Sequence, residues 1–378
     1  MPRYVIDELA LKRNLEILKG VSDRANVKIL LAQKAYSCAA TYPLCAKYLA
    51  GTTASSLFEA KHGHDHFGGE THVFSPAFAA DEMDEILALV DHIVFNSPRQ
   101  IALYGEPARA RGVSVGLRVN PEVSVATTPA YDPCRPSSRL GTRRAALGNG
   151  ERLGVDGLHF HCLCEQGVDE LRKVLVGFEE KFGEFLPLLK WVNFGGGHHI
   201  TRADYDVEAL VVLLNDFHAR HPHLEVYLEP GEAIALNAGT LESRVLEIQP
   251  KGADGVANVI LDTSAACHMP DVLEMPYTPR ISGARILEKL PTANDQSPAA
   301  IYRFGGPTCL AGDEIGTYAF DHELKEGDTV VFEDMAIYSM VKNNTFNGVN
   351  LPDIVIRHED GREELVRRFG YDDFASRL

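Results

Sequence analysis

Apolar and polar positions alternate in blocks along the first two thirds of the chain. Short apolar or β-branched runs recur at Lys28–Ala32, Thr53–Ser56, His72–Ser75, His92–Asn96, Val113–Asn120, Val155–Cys162, Lys190–Phe194 and Glu225–Leu228. Between them lie amphipathic segments such as "YPLCAKYLA" and "DYDVEALVVLLNDFHARH". In the second, Leu210, Leu213, Leu214 and Phe217 recur at the spacing of one helix face. Strands alternating with helices predict parallel βα units, and eight such units predict a closed barrel rather than an open sheet. The link from Pro121 to Gly154, rich in Pro, Ser and Arg, reads as loop, and "MPRYVIDELALKRN" reads as passing straight into a helical pattern.

After about residue 234 the pattern changes. "TLESRVLEIQP", "GVANVILDTS", "AIYRFGG" and "DTVVFEDM" alternate or are β-branched, and "KGADG", "TANDQSP" and "KEGD" separate them as turns. The expected fold is therefore α/β: a (β/α)8 TIM-type barrel over 8–233, with a second, mostly β domain over 234–378 that also takes in 1–7.

The length of 378 residues suits two domains. A formal charge of -16 disfavours nucleic acid and anionic membranes as partners and would suit a cationic small molecule. Seven scattered cysteines, an odd number in a long chain, argue against a disulfide framework. No apolar run has membrane-spanning length, and the N-terminus lacks the apolar core of a signal peptide, so a cytosolic protein is expected.

In such a barrel the C-terminal strand ends form the active face. Lys34 follows the first run, His159 and His161 close the sixth in "GLHFHCLCEQG", Gly195, Gly196 and Gly197 follow the seventh, and Glu229 ends the eighth in "VYLEPGEA". Three glycines between a strand and a helix could be a flexible loop, or a nest of backbone N–H groups that cradles phosphate with help from the helix N-terminus. "HFHCLC" raises the question of zinc. Alternation along a strand sends His159 and His161 one way and Cys162 and Cys164 the other, so the four do not converge and no metal is expected. "KHGHDHFGGETH" reads as a polar loop. A lysine amine, a phosphate nest, a flat imidazole and a carboxylate at one mouth together describe a pyridoxal 5'-phosphate site.

These motifs resemble the fold type III pyridoxal phosphate decarboxylases, the ornithine and diaminopimelate decarboxylase superfamily with an alanine racemase-like barrel. "FGGPTCLAGD" is similar to its catalytic cysteine segment and "FEDMAIYSMVKNNTFNG" to its C-terminal segment. "ASSLFEAKHG", "YDPCRPSSRLG", "LEPGEAIALNAG" and "LDTSAACHMPDVLEMPY" look closer still to one branch, the carboxynorspermidine/carboxyspermidine decarboxylases. The resemblance implies that Lys34 carries the cofactor, His161 lies against its ring, and Gly195 to Gly197 with Tyr338 hold its phosphate. It also implies that Glu229 meets the pyridine nitrogen, that Arg139 lies near the cofactor, and that Cys309 returns a proton to the substrate carbon in the active site of a partner subunit. A homodimer with shared sites follows.

Two departures bear on the substrate. Leu310 follows Cys309 where ornithine decarboxylases have an aspartate, and Glu232 stands where relatives have a phosphate-binding arginine. Both point away from ornithine and toward a polyamine precursor with a long cationic tail. Glu232, Asp271, Glu274, Asp262 and Asp313 are the acids proposed to meet that tail. Decarboxylases of diaminopimelate, arginine or ornithine type, and a non-catalytic pyridoxal phosphate carrier, remain the alternatives. An alanine racemase-like enzyme is opposed by Glu229 and Cys309.

Overall fold

A computed structural model describes residues 1–148, 153–290 and 300–378. The "TANDQSP" turn and part of the Pro121–Gly154 link lie outside the described residues. The chain forms two compact units, Lys12–Ile234 and Met1–Leu11 with Ala235–Leu378. The N-terminus opens with a strand, β1 (Arg3–Asp7), before the helix Glu8–Ala25, so the helical reading of that stretch was right only from Glu8 onward.

In the unit Lys12–Ile234 eight parallel strands close a barrel: β2 (Lys28–Ala32), β3 (Gly51–Ala54), β4 (Glu70–Phe74), β5 (His92–Phe95), β6 (Ser114–Asn120), β7 (Gly157–His159), β8 (Trp191–Asn193) and β9 (Glu225–Leu228), with the two-residue strand Thr142–Arg143 added beside β6. Their order is β5-β4-β3-β2-β9-β8-β7-β6, and β5 also pairs with β6, which closes the barrel. The strands at Thr53, His72, Val113, Val155 and Lys190 are displaced from the expected runs or shorter than them. Polar starters such as Glu70 extend a strand beyond its apolar run, and β7 yields early to the irregular backbone at the mouth.

Local chemistry sets the helices. Ser56 Oγ accepts the Glu59 N–H at 3.3 Å, while Glu59 Oε2 accepts the Ser55 N–H at 2.6 Å, so helix Leu57–His66 starts with paired caps. Asp206 caps Val207–Arg220 through the Ala209 N–H at 2.8 Å. His62, His64 and His66 lie on Leu57–His66 rather than in a loop, and His72 lies in β4. The buried face of that helix is made of Leu57, Ala60 and Gly63, small residues whose period the histidines mask. "YPLCAKYLA" gives only a single helical turn, Tyr42–Cys45.

Inside the barrel, Trp191 packs with Leu30, Val94 and Tyr227. Gly116 and Gly157 make room for it: a Cβ there would lie 2.4 Å and 2.0 Å from the indole. At the N-terminal strand ends, opposite the expected active face, Lys28 binds Glu70 at 2.5 Å and Glu225 at 2.7 Å, and His72 Nε2 lies 3.0 Å from Glu70. The His72 and His92 rings stack 4.0 Å apart at 10°. Glu70, His72 and His92 have ligand atoms close enough for a metal, but the two stacked rings lie in near-parallel planes about 4 Å apart, so one ion cannot lie in the plane of both.

The unit Met1–Leu11 with Ala235–Leu378 is built on a mixed nine-stranded sheet. Its strands are β1 with β10 (Gly239–Ile248), β11 (Ala257–Leu261), β12 (Ala284–Ile286), β13 (Ala300–Gly305), β14 (Glu314–Phe320), β15 (Thr329–Glu333), β16 (Asp353–Arg357) and β17 (Glu363–Arg367). β1 lies between β10, to which it is antiparallel, and β16, to which it is parallel. Tyr4, Leu241, Val259, Phe304, Tyr318 and Phe332 fill the core against this sheet. Among the described residues no helix is long and apolar enough to cross a membrane.

Burial, and then the neighbouring His72, push His92 down to about 3. Its folded form is therefore neutral, whereas the unfolded chain takes up a proton below its ordinary value of 6.5. Stability from this group is complete above that pH and is lost as pH falls toward the folded value. Replacing His92 with Phe, which keeps a ring against His72, is expected to flatten the decline of Tm between pH 6.5 and pH 4. An unchanged slope would show that His92 does not carry this acid sensitivity.

Candidate active site

The mouth of the barrel is assembled from the segments that follow its strands. Beyond β2, the Ala32 N–H donates to the Pro230 carbonyl and the Gln33 N–H to the Thr53 carbonyl, each at 3.1 Å, which fixes the backbone that presents Lys34. Lys34 lines a cavity of about 280 Å³ together with Phe74, Arg118, Arg139, His159, His161 and Glu229. Solvent reaches its side chain through the cavity, yet protein surrounds it on the other sides. That burial, and the like charge of Arg118, lower its pKa, while Glu229 and Glu232 oppose the shift less strongly. An uncharged amine is the form that bonds to an aldehyde.

Glu229, at the end of β9, is held from two sides. Asn193 Nδ2 donates to its Oε1 at 2.8 Å, and His159 Nε2 lies 3.2 Å from its Oε2. Burial favours its protonated form, but His159 and Asn193 overcome this and hold it down at about 2, so it remains a carboxylate. Burial lowers His159 against the pull of Glu229. We read the pair as a neutral imidazole donating from Nε2 to a charged carboxylate. This is an oriented anion at the floor of the cavity, able to hold a proton on a ring nitrogen.

His161 lies just beyond β7. Its Nδ1 accepts the Gly196 N–H at 2.9 Å, which leaves the ring proton on Nε2. Burial, then the charges of Lys34 and Arg118, hold it well below its ordinary value. A neutral flat ring is thus fixed on the cavity wall.

The triple glycine is needed because neighbouring backbone comes close. A Cβ on Gly195, Gly196 or Gly197 would lie 2.4, 2.0 or 2.0 Å from the carbonyl oxygens of Phe160, Glu229 and Leu163, and Gly195 and Gly197 have φ of 69° and 83°. Gly195 N–H is committed to Asn193 Oδ1 at 2.8 Å and Gly196 N–H to His161. The N–H of Gly197 makes no hydrogen bond among the described residues. The expected nest therefore reduces to one available donor of the three. No helix begins at the turn, since the next one starts at Val207.

Two contributors went unforeseen. Asn193 precedes the glycines by two residues and looks like strand filler. Arg118 is the one charge in the apolar strand β6, only 4% exposed. Zinc at "HFHCLC" is not supported: His159 and His161 line the cavity, while Cys162 is buried and absent from its lining.

In the β-rich unit Cys309 is exposed, the only one of the seven cysteines that is, and its N–H donates to Asn347 Oδ1 at 2.8 Å. Asp313 is 4% exposed and accepts from Ser264 Oγ at 2.9 Å and Thr308 Oγ1 at 2.7 Å. Ser264 serves one carboxylate oxygen and Thr308, in the turn carrying Cys309, the other, so both already have protein donors. Asp262 is likewise engaged by Ser243 Oγ at 2.9 Å and the Arg244 N–H at 2.8 Å. Asp271 and Glu274, one turn apart, both bind Lys342. Glu232 Oε2 accepts from His199 Nε2 at 2.9 Å. Tyr338 has φ of 47°, a left-handed backbone that a bulky residue adopts at a cost.

Comparison with known proteins resolves the class. Residues 3–336 match the family described as pyridoxal-dependent decarboxylase, C-terminal sheet domain. The chain belongs to the pyridoxal-dependent decarboxylases. This decarboxylase is 42% identical over 381 residues to the carboxynorspermidine/carboxyspermidine decarboxylase of Campylobacter jejuni, covering 100% of this chain and 98% of the relative. It is also 42% identical over 377 residues to the carboxyaminopropylagmatine decarboxylase of Synechocystis, covering 100% of this chain and 95% of the relative. Its fold matches the crystal structure of Campylobacter jejuni carboxynorspermidine decarboxylase complexed with norspermidine, with a TM-score of 0.92, 41% identity and 100% coverage of both chains. Diaminopimelate decarboxylase of Helicobacter pylori shares the fold, with a TM-score of 0.81 at 18% identity and 99% and 95% coverage.

Pyridoxal phosphate is the cofactor of this family, and the cavity fits it. In its lining a lysine of lowered pKa, an ionised carboxylate and a buried guanidinium match an aldehyde, a ring nitrogen and an anionic oxygen, and the free N–H of Gly197 lies in the turn that bonds the lining residue His161, where a phosphate would be held. Gly197→Ala is expected to weaken cofactor retention by about tenfold or more, through a strained φ and the loss of the turn's donor geometry. Retention is read by dialysis and the remaining near-visible absorbance. Unchanged retention would remove the turn from the binding site.

Proposed function

We propose that the decarboxylase acts on a carboxylated linear triamine, carboxynorspermidine or carboxyspermidine, releasing carbon dioxide and norspermidine or spermidine for polyamine biosynthesis. The observation that carries this is the end-to-end match, at 41% identity, to a carboxynorspermidine decarboxylase complexed with norspermidine. Leu310 after Cys309 supports it, because an aspartate there would suit ornithine's short distal amine. Diaminopimelate decarboxylases align in sequence with 62–68% of this chain at 24–26% identity, and an ornithine decarboxylase with 71% at 23%, so those alternatives are not favoured.

When bound, pyridoxal phosphate supplies the sink for the electrons of the breaking carbon–carboxylate bond. Lys34 would hold the cofactor through its uncharged amine. Glu229 would keep a proton on the ring nitrogen, and His161 would support the ring face. Gly197 would hold the phosphate, a role the family resemblance also gives Tyr338, and Arg139 lies at the edge of the cavity. Cys309 gives a proton to the α-carbon after carbon dioxide leaves. Its exposure on this chain supports its serving the site of a partner subunit, and hence a homodimer. Seven free cysteines support a reducing, cytosolic setting.

Glu232, Asp271 and Glu274 are proposed to meet the cationic tail, each charge-assisted contact contributing about 1.5–3 kcal/mol. Asp271 and Glu274 already share Lys342, so an arriving ammonium joins a partly neutralised site. Choice between the two triamines, which differ by one methylene, is worth about 1–3 kcal/mol and rests on pocket depth.

Purified protein offered both carboxylated triamines, carboxyaminopropylagmatine, diaminopimelate and ornithine should release carbon dioxide fastest from a triamine. Turnover confined to diaminopimelate or ornithine would overturn the substrate assignment. Lys34→Ala should abolish the near-visible absorbance and most activity.

Cys309→Ala should keep the absorbance and lose about 10²–10⁴-fold in turnover. Mixing the two inactive variants should restore roughly a quarter of the sites if subunits exchange and sites are shared. No recovery, with exchange confirmed by mass, places Cys309 outside the partner's site.

A further inference from the structure

Arg118 is a buried cation for which the protein supplies no counter-ion. Its guanidinium lies against the Phe74 ring, 4.5 Å from the centroid, and one Nη donates to the His161 carbonyl at 3.0 Å. Among the described residues it makes no other hydrogen bond and no ion pair. Four of a guanidinium's five N–H donors are thus left without a protein acceptor, in a residue 4% exposed. Leaving such a group unpaired is costly. Stacking on Phe74 and the bond to the His161 carbonyl just beyond β7 hold it on the cavity wall, so the missing partner is an anion that enters the cavity.

Two anions enter a pyridoxal phosphate decarboxylase there: the cofactor and the substrate carboxylate. The carboxylate loses its charge as carbon dioxide forms. A guanidinium fixed on it would stabilise the starting state more than the transition state and slow the reaction. On the cofactor, three groups already have partners: the aldehyde with Lys34, the ring nitrogen with Glu229, and the phosphate at the glycine turn. The one ionisable group left is the ring hydroxyl, beside the aldehyde carbon. Arg118 shares the cavity wall with both Lys34 and Glu229.

We propose that Arg118 is a cofactor-positioning residue whose free guanidinium edge binds the ionised ring oxygen of pyridoxal phosphate. This rests on the assignments of Lys34 and Glu229 above and is independent of the substrate. The same contact places a fixed positive charge beside the lysine-linked carbon and orients the ring between Phe74 and His161.

The test uses the full chain freed of cofactor and two probes that cannot bond to Lys34: pyridoxine 5'-phosphate and its analogue lacking the ring hydroxyl. Wild-type protein should bind the hydroxylated probe about tenfold or more tightly. Arg118→Gln should lose that preference while keeping its affinity for the deoxy probe, and Arg118→Lys should retain part of it. Equal binding of both probes by wild-type protein overturns the proposal without any variant. So does a preference that persists in Arg118→Gln, and a rise in substrate KM in that variant would then assign the guanidinium to the carboxylate. If Lys34→Ala keeps its near-visible absorbance, the underlying site reading has failed, whichever way the probes bind.

Discussion

The electrostatics of the barrel mouth depend on keeping one carboxylate charged in a place that disfavours charge. Glu229 sits at the end of β9 with little solvent around it, and a carboxylate so placed would ordinarily take up a proton. Asn193 and His159 prevent that, and each comes from the strand that must lie beside β9 or one further on. The register of β7, β8 and β9 is therefore an electrostatic specification as well as a packing one. His159 pairs with Asn193 and Asn193 with Tyr227 across these strands.

The surrounding charges follow from the same logic. The carboxylate of Glu229 faces two cations in the cavity, Lys34 and Arg118; Arg118 helps depress Lys34, and Arg118 is itself depressed by burial and by Arg139. His161 is kept neutral by that positive field and by burial. The result is an amine poised to bond, a flat uncharged wall, and an anion fixed below it. None of these states depends on a flexible surface side chain, because every group is set by backbone at a strand end or by a buried partner.

Much of this was legible in the chain. Lys34 and Glu229 stand out because each ends an apolar run with a charge, and the triple glycine marks close backbone approach. The eight runs were recognisable because parallel strands buried on both faces are nearly uniform in hydrophobicity. What escaped has physical reasons. Arg118 is a single charge inside such a run, and nothing local shows that it faces a cavity. The helix bearing His62, His64 and His66 has a buried face of small residues, so its period is faint. For Asp313 the sequence does not show that its carboxylate already accepts from Ser264 and Thr308. Residues 1–7 are assigned to the β-rich domain, but β1 is not marked as a strand, because its partners, β10 and β16, are remote in sequence.

The chain carries one tryptophan, and it stands within the barrel wall beside two glycines that exist in place of side chains. All indole emission from this protein thus originates at a single interior address in the cofactor-bearing unit. Its intensity and colour report on that interior alone, free of background from the β-rich unit, so refolding of the barrel can be followed optically without attaching a dye.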